Sequence, residues 1–305
     1  MAGNTFGRSR VPFSGSGRAT PGKVVTTLEK PETKDSVAVG PRAAAPRISI
    51  IIPAKNEARN LPHVLPKLPT DCEIILVDGH STDETVREAQ RLRPDIVVIG
   101  QTRVGKGNAL ACGFAAATGE FIVMIDADGS NDPAEIPRFV AALEGGADFA
   151  KGSRFLPGGG SHDISAFRRA GNFWLNKMVN VLYGTRYTDL CYGYNAFRQN
   201  CLDVMRLLPP DVEGSNPANM LWGDGFEIET LINLRIAKAG LTVTEVPSFE
   251  AVRNFGASNL NAFSDGLRVL RTIRHERKRA QRYQPGVATW PKGEPGLSVV
   301  IEEAS

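Results

Sequence analysis

The chain has 305 residues, of which 42% are hydrophobic and 23% charged, and this composition is typical of a soluble α/β domain with additional tails. Its net charge of +3 is unevenly distributed, because residues 1–46 hold seven Lys and Arg against three acids and 266–282 hold seven against one, which leaves 47–265 net acidic. This distribution argues against a general nucleic-acid binder, and the lack of about 18 consecutive apolar residues or of a signal peptide predicts a cytoplasmic protein.

Residues 1–46 are rich in Gly, Ser, Pro and basic residues without apolar periodicity, and they are predicted to form a flexible tail. From Ile48 onward, short β-branched runs alternate with helical stretches, and the runs lie at 48–52, 73–77, 96–99, 121–125 and 147–150. Runs that are apolar on both faces suit a parallel sheet with helices on each side. The first half of the chain, to about residue 152, is therefore predicted to be a doubly wound α/β unit.

The second half is predicted to add helices to this unit. The sequence indicates a helix near 164–183, a helix near 225–239 and a strand near 241–246, with irregular chain between the two helices. The folded domain is predicted to span 47–262.

A basic amphipathic helix is predicted over 263–282, followed by a second flexible tail at 283–305. Four apolar residues recur at helical spacing among Arg and Lys residues, namely Phe263, Leu267, Leu270 and Ile273. This helix is expected to attach the protein peripherally to an anionic membrane surface, which would be the inner face if the protein is cytoplasmic. The alternative is that the apolar stripe packs on the domain.

The strongest local signal is the apolar run at 121–125, which ends abruptly in Asp126-Ala127-Asp128. In an open α/β sheet, ligands bind at the carboxyl ends of the strands, where the chain turns into the next helix. Two carboxylates at this place suit a hard divalent cation that is shared with phosphate oxygens. Taken alone, the same residues are also compatible with a solvated turn.

Two earlier predicted strands also end in polar residues, at the same edge of the sheet. The first leads into Pro53-Ala54-Lys55-Asn56-Glu57 and the second into Asp78-Gly79-His80-Ser81-Thr82-Asp83. With the Asp-x-Asp segment, these strand ends resemble glycosyltransferase family 2, and within it the polyprenyl-phosphate sugar transferases. The resemblance covers about residues 47–262 and implies a GT-A fold, in which a mostly parallel, doubly wound sheet is followed by a C-terminal acceptor-side subregion.

Further motifs of this family recur in order along the chain. They are Gly105-Lys106-Gly107, Gly152-Ser153-Arg154, Thr188-Asp189-Leu190 with Phe197-Arg198, Phe226-Glu227-Ile228-Glu229, and a stretch that runs from Arg253 to Leu260. The chain departs from the family pattern where Gly129-Ser130 follows the Asp-x-Asp, where Glu227 replaces Gln and where Asn259 replaces Lys. The Gly-Lys-Gly turn lacks the spacing and the following Ser or Thr of a phosphate-binding P-loop.

The resemblance implies which residues bind the donor, a nucleotide diphosphate-sugar. Asp126 and Asp128 are implied to hold Mg²⁺ or Mn²⁺ beside the diphosphate. Basic residues in the second half are expected to bind phosphate, and only one of the neighbours Arg168 and Arg169 is expected to face the site. The predicted donor-site residues are Pro53, Asn56, Glu57, Asp78, Lys106, Ala127, Arg154, Arg168 and Arg253.

The acceptor has two alternatives, both compatible with a single in-line displacement that inverts the anomeric centre. A polyprenyl phosphate is already anionic and needs no strong base. A saccharide or small-molecule hydroxyl needs a carboxylate to take its proton, and the candidates are Asp189, Asp224 and Glu227. With Asp126 and Asp128 at the leaving group, Asp189 and Glu227 complete the predicted catalytic set. A nucleotide-binding module without turnover is the alternative outside catalysis.

Overall fold

The structure is a computed structural model that describes residues 47–212, 216, 218–256 and 262–279. The predicted tails at 1–46 and 283–305 lie outside these residues. The strands are β1 (Ile48–Ala54), β2 (Glu73–Asp78), β3 (Val97–Gly100), β4 (Phe121–Met124), β5 (Phe149–Ser153), β6 (Gly160–Ser161), β7 (Asn195–Arg198), β8 (Val243–Pro247) and β9 (Phe249–Glu250). The helices are α1 (Leu61–Val64), α2 (Thr85–Leu92), α3 (Lys106–Ala116), α4 (Ile136–Glu144), α5 (Ala166–Tyr183), α6 (Cys201–Met205), α7 (Ile228–Lys238) and α8 (Ala262–Lys278).

The central sheet has seven strands in the order β3-β2-β1-β4-β7-β5-β8. All neighbours in it are parallel except β7, which pairs antiparallel with both β4 and β5. A separate two-stranded sheet joins β6 and β9. The predicted α/β fold with a mostly parallel sheet is therefore confirmed.

Apolar side chains fill both faces of this sheet. One buried cluster joins the sheet to α1, α2 and α4, and the other joins it to α3, α6 and α7. In β1 the alternation is visible within three residues, because Ile50 and Ile52 belong to the first cluster and Ile51 to the second. Burial of successive residues on opposite faces explains why the strands read as continuous apolar runs.

Strand β7 lies in a region where the sequence predicts irregular chain. Only Ala196 and Phe197 are apolar in its four residues, and so short a run carries no clear period. Tertiary pairing forms this strand, since β4 and β5 flank it on both sides. Strand β5 also begins two residues later than predicted and continues to Ser153, and the side chain of Lys151 within it is fully buried.

The inner face of helix α5 carries a row of asparagines. Asn172, Asn176 and Asn180 recur every fourth residue and bond to the segment 185–190. The Asn176 amide, for example, donates to the carbonyl oxygen of Thr188 at 2.6 Å. They lie beside a short apolar stripe, in which Val179 is buried and Leu175 and Leu182 pack against the cluster that holds Ile273.

The outer face of α5 is apolar. Phe167, Trp174 and Val181, spaced seven residues apart on one line of the helix, are between 66% and 78% exposed, and Phe173 lies beside them. The Lys177 ammonium lies over the Trp174 ring, 5.9 Å from its centroid. The helix thus exposes large apolar side chains on one face, while the opposite face buries asparagines together with Val179.

Helix α8 occupies much of the predicted segment 263–282, and its apolar residues do not form one outward stripe. Ile273 is buried in a cluster with residues of α5 and α7, while Leu267 and Leu270 are more than 40% exposed. A buried ion pair joins Arg235 of α7 to Glu276 of α8. The part of α8 around Ile273 therefore packs on the domain.

Candidate active site

A cleft of about 1130 Å³ opens at the carboxyl ends of β1, β2 and β4. The wall at these strand ends contains several of the predicted site residues, namely Pro53, Glu57, Asp126, Ala127 and Asp128. The structure therefore brings together residues that are more than 70 positions apart in the chain. Partial burial raises the pKa of the Glu57 carboxyl above its ordinary value.

The carboxylates of Asp126 and Asp128 are each held by a protein cation. The Lys106 ammonium lies 2.7 Å from Asp126 Oδ1, and the Arg253 guanidinium lies 2.6 Å from Asp128 Oδ2. The second oxygen of Asp128 accepts a hydrogen bond from the backbone N–H of Ser130 at 2.9 Å. Both side chains remain partly exposed to the cleft, so that a ligand can reach them.

Lys106 also contacts Glu229, a cleft residue that the predicted site did not include. Its ammonium lies 2.7 Å from Glu229 Oε1 and therefore bridges Glu229 and Asp126. Burial alone would lower the pKa of Lys106, but the two carboxylates outweigh burial and hold that pKa above its usual range. Both Glu227 and Glu229 belong to the Phe-Glu-x-Glu motif, but only Glu227 was among the predicted catalytic residues.

The loop that contains Arg253 is joined to the Asp-x-Asp turn by backbone hydrogen bonds. The N–H of Asn254 donates to the Asp128 carbonyl at 3.1 Å, and the N–H of Ala251 donates to the Ser130 carbonyl at 2.9 Å. Gly129 has a φ of +81°, and a Cβ there would lie 2.0 Å from the Asn254 side chain. Arg253 therefore reaches Asp128 from a fixed loop, although the two are 125 positions apart.

Asp189 is fully buried, and its carboxylate is fully engaged. Arg154 donates to both of its oxygens at 2.7 and 2.9 Å, and Asn172 donates to one of them at 3.1 Å. The third contact of the Arg154 guanidinium is Glu250, at 2.9 Å. Burial opposes the charge of Arg154, but the bonds from Asp189 dominate and its pKa is raised. Asp189 does not line the cleft, and a carboxylate so paired is unsuited to take a proton from an acceptor.

The other two predicted bases are also used within the fold. Asp224 receives two hydrogen bonds from the buried Arg103 guanidinium, at 2.8 and 2.9 Å. Glu227 accepts from the backbone N–H groups of Gly223 and Gly225 and is nearly buried. Neither residue lines the cleft. Both instead fix the loop that leads into α7 and thereby position Glu229.

Asn56 and Asp78 stand at the predicted strand ends but do not line the cleft. Asn56 joins the loops after β1 and β2, because its side chain accepts from the Thr82 N–H at 2.8 Å. The Asp78 carboxylate accepts from the Ser81 N–H at 3.1 Å. Their neighbours Lys55 and Gly79 face the cleft in their place.

The opposite wall of the cleft is apolar and belongs to α5 and α8. Arg168, rather than Arg169, faces the cleft there, and it pairs with Asp163 at 3.1 Å. Six apolar side chains line this wall, namely Phe167, Trp174, Leu175, Met178, Leu267 and Leu270. The cleft therefore has a charged end at the sheet and an apolar end between two helices.

Comparison with known proteins identifies the family to which this arrangement belongs. The family model for glycosyl transferase family 2 matches residues 49–205. The chain belongs to glycosyltransferase family 2. The match of the family model confirms the resemblance seen in the motifs of this family 2 glycosyltransferase.

Curated relatives cover much of the chain. Polyprenol monophosphomannose synthase of Mycolicibacterium smegmatis is 32% identical over 226 residues, which are 70% of this chain and 81% of that protein. Undecaprenyl-phosphate mannosyltransferase of Micrococcus luteus is 29% identical over 240 residues, which are 75% of this chain and 93% of that protein. An uncharacterized glycosyltransferase of Mycobacterium tuberculosis, Rv0539, is 39% identical over 111 residues, or 36% of this chain and 50% of that protein.

Solved structures share the fold at lower identity. Glucosyl-3-phosphoglycerate synthase of Mycobacterium tuberculosis, in complex with Mn²⁺, UDP-glucose and phosphoglyceric acid, superposes with a TM-score of 0.54 at 21% identity, covering 77% of this chain and 80% of that one. Its complex with Mn²⁺, UDP and phosphoglyceric acid gives a TM-score of 0.57 at 19% identity, over 78% of this chain and 83% of that one. These matches support the GT-A fold alone. Among the described helices of the present protein, none has the length and apolarity needed to cross a membrane.

Proposed function

We propose that this glycosyltransferase moves a sugar from a nucleotide diphosphate-sugar to a polyprenyl phosphate. The observation that carries the proposal is the two-ended cleft, charged where β1, β2 and β4 end and apolar between α5 and α8. An acceptor with a phosphate head and a hydrocarbon chain matches both ends. The relatives named for polyprenol and undecaprenyl-phosphate mannose transfer support the same acceptor class.

The pairing of the candidate bases favours an acceptor that is already ionised. Asp189 is paired with Arg154, Asp224 with Arg103 and Glu229 with Lys106, while Glu227 accepts from backbone N–H groups. A hydroxyl acceptor would require one of these carboxylates to leave its partner, or Glu57 in the cleft wall, to take its proton, whereas a phosphate oxygen needs no base. A single in-line displacement by that oxygen, with inversion at the anomeric carbon, requires no protein nucleophile.

The partly exposed carboxylates of Asp126 and Asp128 fit a divalent metal ion. Asp126 and Asp128 offer hard oxygen ligands, and each now carries a protein cation in the position that a metal charge would fill. Among the described residues no group of three or more His, Cys, Asp or Glu forms a closed metal site. Mg²⁺ and Mn²⁺ suit this arrangement, because Mg²⁺ commonly uses one or two carboxylates together with substrate phosphates. Bound there, the metal would neutralise charge on the departing diphosphate.

The donor is proposed to lie along the strand ends. Pro53, Glu57 and Ala127 form the wall against which the nucleoside and diphosphate would bind. Asn56 and Asp78 would act behind that wall by fixing the two loops that shape it. Arg253 beside Asp128 and Arg168 on α5 both line the cleft, and their guanidinium groups would bind phosphate oxygens.

The exposed apolar face of α5 supports peripheral contact with the anionic inner face of a membrane. Its exposed Phe167, Phe173 and Trp174 adjoin the apolar end of the cleft, and Lys177 and the Arg residues of α8 supply positive charge nearby. Aromatic rings are well suited to the membrane interface, and each basic residue near an anionic leaflet adds about 1 kcal/mol. This assignment moves the predicted contact from α8 alone to α5 and α8 together.

Vesicle co-sedimentation tests the membrane contact. The double variant Phe173→Ser/Trp174→Ser should bind anionic vesicles several-fold more weakly than the unchanged protein at low salt. Val97→Ser, which removes an exposed apolar side chain from β3, is the matched control and should bind normally. A variant with Arg271, Arg274, Arg277 and Lys278 changed to Gln measures the contribution of α8. Equal sedimentation of all four proteins would remove the membrane role.

Transfer of labelled sugar tests the reaction itself. The purified protein is incubated with nucleotide-sugars, Mn²⁺ or Mg²⁺, and either polyprenyl phosphate or water-soluble saccharides. Label should enter the organic phase only with the lipid, and chelator should abolish the transfer. Transfer to a saccharide instead would establish the hydroxyl acceptor, and neither transfer nor donor hydrolysis would indicate a module without turnover.

A further inference from the structure

Lys106 contacts a metal-site carboxylate and a second carboxylate to which the proposed reaction assigns no role. Its ammonium lies 2.7 Å from both Asp126 Oδ1 and Glu229 Oε1. The Lys106 and Glu229 side chains are only 16% and 11% exposed, so the contact is partly shielded from water. Glu229 is set in the first turn of α7 and lines the cleft.

The backbone on both sides of this contact is tightly fixed. A Cβ at Gly105 would lie 2.1 Å from the Asp224 carbonyl oxygen, and one at Gly107 would lie 1.9 Å from the Gly223 carbonyl oxygen. The N–H of Gly107 donates to the Asp224 carbonyl at 2.7 Å. The two glycines of the Gly-Lys-Gly turn therefore allow the chain to pack against the loop before α7. This packing restrains the backbone of the turn, whereas the Lys106 side chain can still change its conformation.

Glycine at position 193 leaves room for the pair itself. A Cβ at this position would lie 2.7 Å from Glu229 Oε1 and 3.3 Å from the Lys106 ammonium. A larger residue would therefore push against the Glu229 carboxylate. The close packing indicates a specific location for the ammonium rather than a loose surface ion pair.

We infer that Lys106 is a displaceable counter-cation of the metal site and that Glu229 is the positioning residue that keeps its ammonium when a metal ion takes Asp126. The inference rests on the proposed metal site at Asp126 and Asp128. Before the metal binds, the ammonium neutralises Asp126. Afterwards it remains bound to Glu229, at the rim of the diphosphate site, where its charge still faces the cleft.

The shared contact lowers the cost of exchanging one cation for another. A displaced ammonium without a second carboxylate would be left partly buried and unpaired, which is strongly unfavourable. With Glu229 already 2.7 Å away, one of its two ion pairs persists throughout. Glu229 should therefore strengthen metal binding through its contact with Lys106, beyond the general attraction between a carboxylate and a cation.

Charge-conserving variants separate these two effects. Glu229→Asp keeps the negative charge but withdraws the carboxylate by one methylene group, which breaks the contact with Lys106. Binding of Mn²⁺ alone is measured from the electron paramagnetic resonance signal of the free ion, with thermal unfolding as the check on folding. Glu229→Asp should weaken Mn²⁺ binding roughly tenfold, which corresponds to about 1.4 kcal/mol.

The same substitution in a Lys106→Met background is the matched control. Lys106→Met should bind Mn²⁺ more tightly than the unchanged protein, and adding Glu229→Asp to it should change the affinity by less than about twofold, because there is no ammonium to hold. Glu229→Gln, which keeps the side-chain length, provides a second test of the contact and should also weaken binding, with the larger effect when Lys106 is present.

The outcomes distinguish this inference from the proposed function. If the unchanged protein binds Mn²⁺ and Glu229→Asp binds it equally well, the contact with Lys106 has no role and the inference is wrong, while the metal site stands. An equal loss with and without Lys106 would also overturn it, since Glu229 would then act directly on the metal. Failure of the unchanged protein to bind Mn²⁺ would remove the metal site and the inference together.

Discussion

The two walls of the cleft present different side chains. The wall at the sheet edge places Glu57, Asp126 and Asp128 just beyond the buried apolar runs of β1 and β4. The wall formed by α5 and α8 exposes Phe167 and Trp174, whereas Asn172 and Asn176 of α5 are buried. A polar residue therefore has a different meaning on each side, since the asparagines of α5 fix the chain, whereas these carboxylates at the sheet edge reach the cleft.

Loss of a carboxylate at the strand ends should have the largest effect, and it should fall on activity. Asp128→Ala is expected to lower kcat/KM by at least 10³-fold, or about 4 kcal/mol, because the leaving diphosphate loses its counter-charge. Thermal unfolding should change little, since Asp128 faces the cleft. The measurement compares sugar transfer and unfolding of the same variant, and a near-normal rate would exclude this metal site.

Loss of the buried carboxylate near α5 should act mainly on stability. Asp189→Asn leaves the Arg154 guanidinium without its main partner in a buried place, which is expected to cost about 3–5 kcal/mol of unfolding free energy. Denaturant unfolding measures it. If Asp189→Asn were as stable as the unchanged protein but inactive, the predicted role of Asp189 as a base would be restored.

A matched pair of variants compares the buried and the exposed faces of α5. Asn176→Ala removes bonds to the Thr188 carbonyl and the Leu190 N–H and should cost about 2 kcal/mol of stability. Trp174→Ala, on the exposed face, should change stability by less than about 0.5 kcal/mol, although it removes far more apolar surface. Denaturant midpoints compare them directly, and a larger loss for Trp174→Ala would show that the ring is packed.

The smallest effect concerns Lys151, whose buried ammonium donates a hydrogen bond to the Tyr192 carbonyl at 3.3 Å. Burial lowers its pKa, so the unfolded chain binds this proton more tightly than the folded protein does. Its cost to stability is therefore greatest at low pH and declines as pH rises towards the ordinary value of 10.5.

Replacement of this ammonium by an apolar side chain should reverse that cost. Lys151→Met is expected to be more stable by about 1 kcal/mol at pH 7, because replacing a buried charge with a well-packed apolar group is often stabilising. The advantage over the unchanged protein should decrease as pH rises towards 10.5. A constant difference across this range would show that Lys151 does not titrate differently on folding.

The sequence predicted the donor-side half well for a physical reason. Apolar runs at 48–52, 73–77 and 121–125 are long enough to show their period, and a carboxylate directly after such a run has no apolar reason to be there. The strand ends could thus be located, and Asp126 and Asp128 with them, from local pattern alone.

The acceptor-side half was harder because its contacts are distant in sequence. Nothing near Asp189 or Asp224 in the sequence shows that they are paired. Asp189 is paired with Arg154, 35 positions away, and Asp224 with Arg103, 121 positions away. The choice between Glu227 and Glu229 depended on how the loop enters α7, which hydrogen bonds to Gly223 and Gly225 decide. No local period shows these pairings.

The antiparallel strand β7 has a consequence for how the protein is made. Strand β5 pairs only with β7 and β8, which leave the ribosome some 40 and 90 residues later, and until β7 arrives the outer edge of β4 is also open. A nascent chain that stops before residue 195 therefore presents an unpaired β4 edge and a detached β5, both of which favour aggregation. When chains of increasing length are expressed, we expect soluble protein only from those that extend beyond β8.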